Sequence, residues 1–497
     1  MDNLKEVVKS NGKSLTFVIC LLLYNAYSPL NVILAALMVA IACISSVEEN
    51  LIILFVASIF DEVLVLDLIG GSIARVLILI CLMKLVLYFV KHKKIDIIKS
   101  DIMIIAFFII SMLLGIFNGF FGADVIMFEI NIVLIVMYRI YFRTSKAESV
   151  KLYKSLAWAV VISGFVGVVY GVTHFNFLIE NGPSYTIYRF NGIYEPNFMS
   201  AYLNIALVIL FSNFIGVNKR LRRVLITLFT VMICMTVSMS GIGIMTAIYL
   251  IYIFSLRKDI WKRIMNTVVV LLICVICFGG FNYGIGLYNN YLERQYAVSE
   301  EVVENDVIEE SQEVIPEVVP EEILDEPMEE NEEDSSESEI VEKDSESDTE
   351  LEIIEVDDNP FGKRVESIIN LLEEGDIDTV TSGRTSLIRD FYHACIDRNI
   401  FAQLFGNGPI PKKVYSTFFW ADKYSHNSYV DMLYNFGVIG TVIMLLFIFK
   451  RALKGDFMST MNADIRREMK CIRILCLFYG IVLSIYSRRM FIILFLI

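Results

Sequence analysis

Long, nearly uninterrupted apolar runs recur along this chain, and they constrain its fold more than any other sequence feature. Examples are ITLFTVMICMTVSM, which begins at residue 226, and TVIMLLFIF, which begins at residue 441. Runs of roughly 20 apolar residues match the hydrocarbon thickness of a bilayer. A soluble chain of 497 residues would also need more charged surface than one that is 56% hydrophobic, with a mean hydropathy of +0.61. We therefore predict an all-α polytopic membrane protein.

About thirteen transmembrane helices are predicted from these runs, with a range of 12–14. The spans cover residues 14–28, 30–46, 49–66, 72–90, 101–118, 125–142, 152–173, 197–215, 221–238, 241–256, 262–281, 426–449 and 469–486. The closing run at 490–497 is too short to cross a bilayer unaided. This pattern divides the chain into N-terminal transmembrane helices at 1–281 (about 11), a large loop at 282–425, and C-terminal transmembrane helices at 426–497.

Lysine and arginine are concentrated in alternate loops, and this predicts the orientation of the chain. Basic clusters precede the first span and occur at residues 91–99, 143–154, 219–223, 257–263 and 450–470. All of them fall on one side if the spans alternate, and such positive charge marks the cytoplasmic side. We therefore expect a cytoplasmic N-terminus and an extracytoplasmic loop at 282–425.

The large loop has two parts of different composition. Residues 299–358 contain 28 Asp and Glu but a single Lys, a net charge of −27, which leaves +13 for the rest of a chain whose total is −14. Such a tract buries too little apolar surface to offset its chain entropy, so we expect it to be a disordered acidic insert. Residues 360–425 have a mixed composition and are expected to fold, with short amphipathic helices.

The stretch TSGRTSLIRDFYHACIDR (381–398) predicts a helix on the outer surface of the membrane domain. Its apolar residues are spaced for one helix face: Leu387, Phe391, Ala394 and Cys395. Thr381 or Ser382 suits the N-cap. Arg384 would then lie in the first turn, where a guanidinium beside free backbone N–H groups could bind a phosphate. A surface arginine on an amphipathic helix is the competing interpretation.

Two further segments carry candidate site residues. His426, one of four histidines, lies where the chain re-enters the membrane, and an imidazole can accept a proton from an attacking hydroxyl near neutral pH. In YRFNGIYEPN (188–197), Arg189 offers a second guanidinium for a phosphate, and Asn197 is a candidate N-cap. A hydrogen-bonded histidine at the membrane interface and an ordinary loop arginine are the alternatives.

Several charged residues lie in or near the ends of the apolar runs, where an ionised side chain is costly and indicates pairing or function. Arg75 and Glu129 are predicted near the outer ends of their spans, where they could pair or line a substrate cavity. Lys84 and Arg139 are predicted near inner ends, and we expect both to extend toward the membrane surface.

The order of these elements resembles the O-antigen ligase/polymerase family. That family carries an Arg-Gly-(Pro)-Asn segment before a mid-chain span, a long extracytoplasmic loop with Gly-Arg and Gly-x-Gly, and His-Asn before a span containing Gly-x-x-Gly. The corresponding residues here are Arg189 to Gly192 with Pro196-Asn197, Gly383-Arg384, Gly406 to Gly408, His426-Asn427 and Gly437 to Gly440. The resemblance covers about residues 185–445. It departs at SMSGIG (238–243), where Gly241 stands in place of an arginine that many members carry.

The resemblance implies a metal-independent, inverting membrane glycosyltransferase of the bacterial plasma membrane. The donor would be a glycan on undecaprenyl diphosphate, and the acceptor a second glycan or a lipid; other polysaccharide assembly proteins are conceivable partners. His426 would activate the acceptor hydroxyl as the catalytic residue. The substrate-binding residues would be Arg189, Arg384, Asn427, Glu195, Asn197 and Arg75. No cofactor, metal cluster or nucleic-acid partner is expected, and no nucleotide-binding loop is visible.

Other functions remain open at this point. Within the family, a polymerase of repeat units is slightly favoured over a ligase that joins the glycan to a lipid, a wall polymer or a protein. A transporter or flippase of lipid-linked sugars would also have many spans and charges within them. A transporter would usually show internal repeats and interrupted helices, whereas the best polar residues here lie in the outer loops.

Overall fold

The computed structural model describes most of the chain outside the acidic tract. The described residues are 12–24, 30–60, 64–66, 71–92, 95–118, 123–145, 149–174, 176–182, 185–193, 195–213, 215–254, 260–284, 366, 369–371, 373–376, 378, 381, 383–408, 414–416, 421–454 and 463–483. The acidic tract at 299–358 and the closing run at 490–497 lie outside these residues. The expectations for both therefore stay predictions.

The described part is mostly helical. Before residue 285 the helices are α1 Gly12–Leu23, α2 Asn31–Ile44, α3 Val47–Ile59, α4 Ile73–Lys91, α5 Lys99–Phe117, α6 Ala123–Ser145, α7 Ser149–Thr173, α8 Pro196–Ser212, α9 Lys219–Met235, α10 Met239–Phe254 and α11 Ile260–Gly284. The later helices are α12 Arg384–Ile396, α13 Ile400–Phe405, α14 Ser428–Lys454 and α15 Ala463–Val482.

Every predicted span overlaps one of these helices, but they differ in length and apolarity. Among the described residues, five helices are long and apolar enough to cross a membrane: Ile73–Lys91, Lys99–Phe117, Tyr153–Thr173, Ile260–Gly284 and Ser428–Phe447. Helices α1, α2, α8 and α10 are apolar but shorter. The chain is thus a mostly helical, membrane-associated protein, and the number of crossings stays a prediction.

Three short antiparallel hairpins interrupt the helical pattern within the described residues. They pair β1 Val65–Leu66 with β2 Gly71–Ser72, β3 Phe177–Gly182 with β4 Tyr185–Phe190, and β5 Val414–Ser416 with β6 Ala421–Lys423. The β3–β4 hairpin is the longest, and its register places Leu178 opposite Arg189. The sequence prediction of an all-α fold missed these hairpins, because each is a local connection between helices.

Helix α8 is buried along nearly its whole length and contacts α7, α9, α10 and α15. Pro196 occupies its first position, where the missing N–H removes no helical hydrogen bond. Near the middle, Asn204 Nδ2 donates to the Gly241 carbonyl oxygen at 2.9 Å and to the Tyr479 hydroxyl at 2.7 Å. Such bonds between helices fix their register where hydrocarbon offers no alternative partner. The start of α8 is therefore held in a defined position.

The chain divides into two compact units by its internal contacts. The first comprises residues 1–278 and 360–497, so the folded part of the predicted loop belongs to the same unit as the helices on both sides of it. Helix α12 contributes to this unit as predicted, because Leu387, Phe391 and Cys395 pack against Tyr434 of α14. The second unit comprises residues 279–359, of which the structure describes only the end of α11.

Three charged residues of α5 and α6 form a buried cluster, here called the α5–α6 ion-pair cluster: Asp101, Arg139 and Arg143. Arg139 Nη1 lies 3.3 Å from Asp101 Oδ1, and Arg143 pairs with the other carboxylate oxygen. Arg143 also donates to the Asp96 carbonyl at 3.1 Å. The expectation that Arg139 extends toward the membrane surface is wrong, since its side chain is 4% exposed and paired.

Lys84 donates to the Ala42 carbonyl at 2.7 Å and thus binds the end of α2.

Candidate functional site

The β3–β4 hairpin and the start of α8 hold three of the predicted site residues in one hydrogen-bonded chain. Arg189 Nη2 donates to Asn197 Oδ1 at 3.4 Å, and Asn197 Nδ2 donates to Glu195 Oε1 at 2.9 Å. Arg189 Nε also donates to the carbonyl oxygen of Thr236, in the turn between α9 and α10, at 3.0 Å. Arg189, which lies on β4, is therefore bonded to two other parts of the chain, the start of α8 and the turn between α9 and α10.

The prediction that Asn197 caps α8 is wrong. Helix α8 begins at Pro196, Glu195 occupies the N-cap position, and Asn197 is the second helical residue. The cause is the proline, which is favoured at the first helical position and so moves the helix start two residues earlier than an N-cap at Asn197 would. The Asn197 side chain is instead free to link Arg189 with Glu195.

Arg384 is the first residue of α12, which agrees with its predicted place in the first turn. The N-cap residue, however, differs from the predicted one. Gly383 occupies the N-cap position with φ +72°. The Thr381 hydroxyl accepts from the Thr385 N–H at 3.3 Å, and the Asp378 carboxylate accepts from the Ser386 N–H at 2.6 Å. The N–H groups proposed for phosphate are thus already bonded. What this helix offers an anion is the Arg384 guanidinium.

His426 lies immediately before α14, in an unusual backbone conformation with φ +50°. Side chains bearing a Cβ pay for this left-handed geometry, and residues that keep it cluster at functional sites. Its neighbours hold the turn: the Ser425 hydroxyl accepts from the Asn427 N–H at 3.0 Å and also contacts the Asp431 carboxylate. The backbone on both sides of the imidazole is therefore constrained.

Asn427 is occupied by structural hydrogen bonds. Its Oδ1 accepts from the N–H groups of Tyr429 and Val430 at 2.9 and 3.1 Å, which caps the start of α14. Its Nδ2 donates to the Ile481 carbonyl at the end of α15 at 2.7 Å. These contacts give Asn427 a positioning role beside His426, while its predicted substrate contact stays a prediction.

Arg384, Glu195 and His426 lie close enough for their charges to affect one another. Burial lowers the pKa of the half-buried His426 imidazole, Arg384 and Lys423 lower it further, and Glu195 raises it. Burial also lowers the pKa of the Arg384 guanidinium, and Glu195 opposes that change. Three predicted residues from distant parts of the sequence thus converge. We call Arg189, Glu195, Arg384, Lys423 and His426 the Arg384–His426 cluster.

Sequence reasoning missed two members of this region, Lys423 and Asp378. Lys423 ends β6, three residues before His426, and its charge acts on the imidazole. No sequence signal singled it out, because the same predicted outer loop also carries Lys412 and Lys413. Asp378 caps α12 from six residues before the helix begins, a spacing that no local capping pattern covers.

Arg75, the remaining predicted substrate-binding residue, belongs to helix α4. It lies half-buried in the first turn of α4, a helix that packs against α2, α3 and α6. The side chain of Glu129, its expected partner, lies outside the described part of the structure. The substrate-binding role of Arg75 therefore stays a prediction and is not carried by the cluster.

Gly241, which stands where an arginine was expected from the family pattern, has no room for a side chain. A Cβ at Gly241 would collide with the Ser200 side chain of α8, and the Gly241 carbonyl accepts from Asn204. The close packing of α8 against α10 thus excludes an arginine side chain at this position. The nearby turn contributes a backbone carbonyl, that of Thr236, which orients Arg189.

The fold and the cluster together define a mostly helical, membrane-associated protein with a cation-rich site at the ends of its helices. Within the part of the chain that the structure describes, no group of three His, Cys, Asp or Glu side chains is placed to hold a metal ion. Comparison of the chain with protein-family models, with curated proteins and with solved structures found no match.

Proposed function

We propose that this protein transfers a glycan from an undecaprenyl-diphosphate-linked oligosaccharide to an acceptor, and that it polymerises surface polysaccharide repeat units. The observation that carries the proposal is the convergence of Arg384, Glu195 and His426, in which Glu195 acts on the ionisation of both other groups and Arg384 acts on that of His426. Arg189 joins them through Asn197. A cationic site with one near-neutral base, beside membrane helices, suits a lipid-linked substrate with an anionic leaving group.

The chemistry requires stabilisation of charge on the leaving group. As the acceptor oxygen bonds to the anomeric carbon, the bond from that carbon to the diphosphate oxygen breaks, and its electron pair leaves with the diphosphate. Arg384 and Arg189 are the cations proposed to stabilise that charge, because guanidinium groups match phosphate geometry. Lys423 adds a third positive charge near the site. Attack opposite to the leaving group inverts the anomeric carbon.

The proton of the acceptor hydroxyl is proposed to move to His426. A general base must be unprotonated before it acts, and the lowered pKa of His426 keeps the imidazole neutral at neutral pH. The carboxylate of Glu195 acts on the ionisation of both Arg384 and His426. We therefore assign Glu195 to positioning and to setting the protonation state of His426.

The placement in the cell follows from the distribution of charge in the sequence. We propose about thirteen crossings of the bacterial plasma membrane, a cytoplasmic N-terminus and an extracytoplasmic loop at 282–425. The cluster would then face a lipid-linked donor outside the cytoplasm. The ligase alternative uses the same chemistry and differs only in the acceptor, which can be a lipid, a wall polymer or a protein.

The decisive experiment is glycan analysis of a strain that lacks the protein. Single repeat units in place of long chains support a polymerase, and long chains that stay unattached support a ligase. Lipid-linked units trapped inside the cytoplasm would replace both with a transporter. Complementation with His426→Ala, compared with the wild type at equal membrane abundance, then tests the site, since full complementation by this variant would remove the assignment.

A further inference from the structure

Helix α14 is broken at Gly437, inside a stretch apolar enough to cross a membrane. Gly437 has φ +63° and ψ −174°, which is not helical. A break of this kind releases carbonyl oxygens from the helical ladder, and in hydrocarbon such groups need partners. Two of them have partners from the preceding segment: Arg398 Nη1 donates to the Tyr434 carbonyl at 2.8 Å, and the Gly408 N–H donates to the Asn435 carbonyl at 3.0 Å.

The segment that supplies these donors, residues 398–408, is packed directly against the break. A Cβ at Gly437 would lie 2.5 Å from the Gly406 nitrogen and from the Leu404 carbonyl carbon, and a Cβ at Gly406 would collide with the Asn435 backbone. Arg398 also stacks on the Tyr434 ring, with 3.4 Å from Cζ to the ring centroid. Backbone-to-backbone packing of this kind fixes the segment at the level of the break.

Helix α5 gives one measure of how deep that level is. Phe107 is the ninth of the 19 residues in this candidate span, and its ring centroid lies 5.4 Å from that of Phe436. Phe107 also lies within 2.9 Å of the position a Cβ would take on Gly440. The break in α14 is therefore level with the middle of α5. Gly408 approaches the Gly115 backbone, nearer to the end of the same helix.

Helix α15 gives a second, independent measure. The start of α14 is tied to the end of α15, where the Ser428 hydroxyl donates to the Leu483 carbonyl at 2.7 Å. At this level α15 still exposes apolar side chains, Phe478 and Ile481. The break at Gly437 lies nine residues further along α14, which is about 13 Å at the helical rise. Both measures place the break well inside the layer marked by the exposed apolar side chains of α5 and α15.

We propose that residues 398–408 form a re-entrant membrane segment whose apolar face contacts the hydrocarbon of the bilayer. Helix α13 presents Ile400 and Phe401 with 75% and 56% of their surface exposed, and Leu404 and Phe405 are exposed beside them. The occupant is hydrocarbon because this face is continuous in depth with the lipid-facing residues of α5 and α15. The polar backbone of the turn is turned inward onto α14, as membrane depth demands.

This segment was assigned to the outer surface by the sequence prediction, so the proposal changes its location. It does not depend on glycosyl transfer, because it rests only on the packing of α13 against candidate spans. A short helix of six residues cannot cross a bilayer, and it enters and leaves on one side. The segment directly follows α12, and so it connects the helix that begins with Arg384 to the membrane interior.

Site-specific photocrosslinking tests the proposal in the intact protein. A benzophenone amino acid replaces Phe401 in protein reconstituted into vesicles of phosphatidylethanolamine and phosphatidylglycerol, and crosslinked lipid is measured by mass spectrometry. The same label at Ile110, in the middle of α5, gives the value for a membrane position. We expect the label at Ser335, inside the acidic tract, to give the aqueous value, because moving ionised carboxylates into hydrocarbon is costly.

The expected result is acyl-chain crosslinking at Phe401 within about twofold of that at Ile110 and at least tenfold above that at Ser335. A label at Ile400 serves as a second probe if the Phe401 variant does not fold. Crosslinking at the level of Ser335, or crosslinking to a second polypeptide in place of lipid, overturns the proposal.

Discussion

Two groups of charged side chains in this protein have opposite organisation. In the α5–α6 ion-pair cluster, two arginines share the carboxylate of Asp101, which is fully buried, and Asp96 adds a second acidic residue at 4.0 Å from Arg143. The Arg384–His426 cluster combines three cationic side chains and an ionisable imidazole with one carboxylate, that of Glu195, which is exposed. The first group balances its charges internally, whereas the second carries an excess of positive charge.

That difference separates a stabilising role from a functional one. Buried charges cost several kcal/mol each unless paired, so a balanced cluster is what a helix pair needs in order to hold arginine inside. An unbalanced cluster gains little for the fold and is suited to an anion that arrives from outside. Perturbed ionisation combined with the strained backbone of His426 strengthens this assignment. Each prediction below changes one cluster, or a residue that holds an element of it in place, and is checked by the response of stability and activity.

The largest effect is expected from Asp101→Asn. This change leaves Arg139 and Arg143 without their shared carboxylate, and an uncompensated buried charge costs about 3–5 kcal/mol. The unfolding temperature in detergent should therefore fall sharply, while the activity of each folded molecule is retained. The double variant Asp101→Leu with Arg139→Leu is the control, because it removes one charge of each sign, leaves Arg143 beside Asp96, and should recover part of the loss. An Asp101→Asn protein that is stable but inactive would contradict the comparison.

The next effect is expected from Arg384→Gln, with the opposite signature. Removing one preorganised charge from a site of this kind costs about 100- to 1,000-fold in rate. Product formation in vesicles should fall by that factor, whereas the unfolding temperature should change little. Arg389→Gln is the matched control, since Arg389 lies one turn further along α12, is exposed and bonds the Ser386 hydroxyl at 3.2 Å. Equal losses in both variants would remove Arg384 from the site.

The sequence predicted much of the fold because its main signals are local. Apolar runs located the helices, and the spacing of Leu387, Phe391 and Cys395 identified the buried face of α12. The candidate residues Arg189, Arg384 and His426 were chosen from their local chemistry and from their order in a family-like pattern, and their roles stay predictions. Nothing in their separation along the chain shows that Glu195 and Asn197 bring them together.

The parts that could not be predicted depend on contacts between distant residues. The burial of Arg139 depends on Asp101, 38 positions earlier, and the depth of α13 depends on a break in α14. In the sequence alone, Gly406 and Gly437 are equally consistent with two flexible turns and with a close backbone contact. The position of Arg189 also depends on the register of the β3–β4 hairpin and on the Thr236 carbonyl, and neither has a signature in the sequence.

A smaller effect is expected from Asp378→Ala, which tests whether the N-terminus of α12 is structural. The variant loses the carboxylate that accepts from the Ser386 N–H and hydroxyl, at 2.6 and 2.5 Å. Loss of a capping side chain costs about 0.5–2 kcal/mol, so the unfolding temperature should fall slightly and the activity a few-fold. Asp378→Asn keeps an acceptor oxygen and is the control. A gain in affinity for inorganic pyrophosphate in Asp378→Ala would show that the freed N–H groups bind phosphate after all.

The smallest effect is a displacement of the acid limb of the pH–rate profile, because it changes the rate only where His426 becomes protonated. The reaction needs the neutral imidazole, which is present above the pKa, so activity falls as the pH drops through that value. Lys423 lowers the pKa of His426, and Lys423→Gln should therefore raise it and move the acid limb to higher pH. Glu195 raises that pKa, and Glu195→Gln should move the limb to lower pH.

The profiles are measured as kcat/KM in vesicles at constant ionic strength, with Arg143→Gln of the α5–α6 ion-pair cluster as the control whose limb should not move. Limbs that shift in the same direction for the Lys423 and Glu195 variants would show that the titrating group is not the imidazole between them.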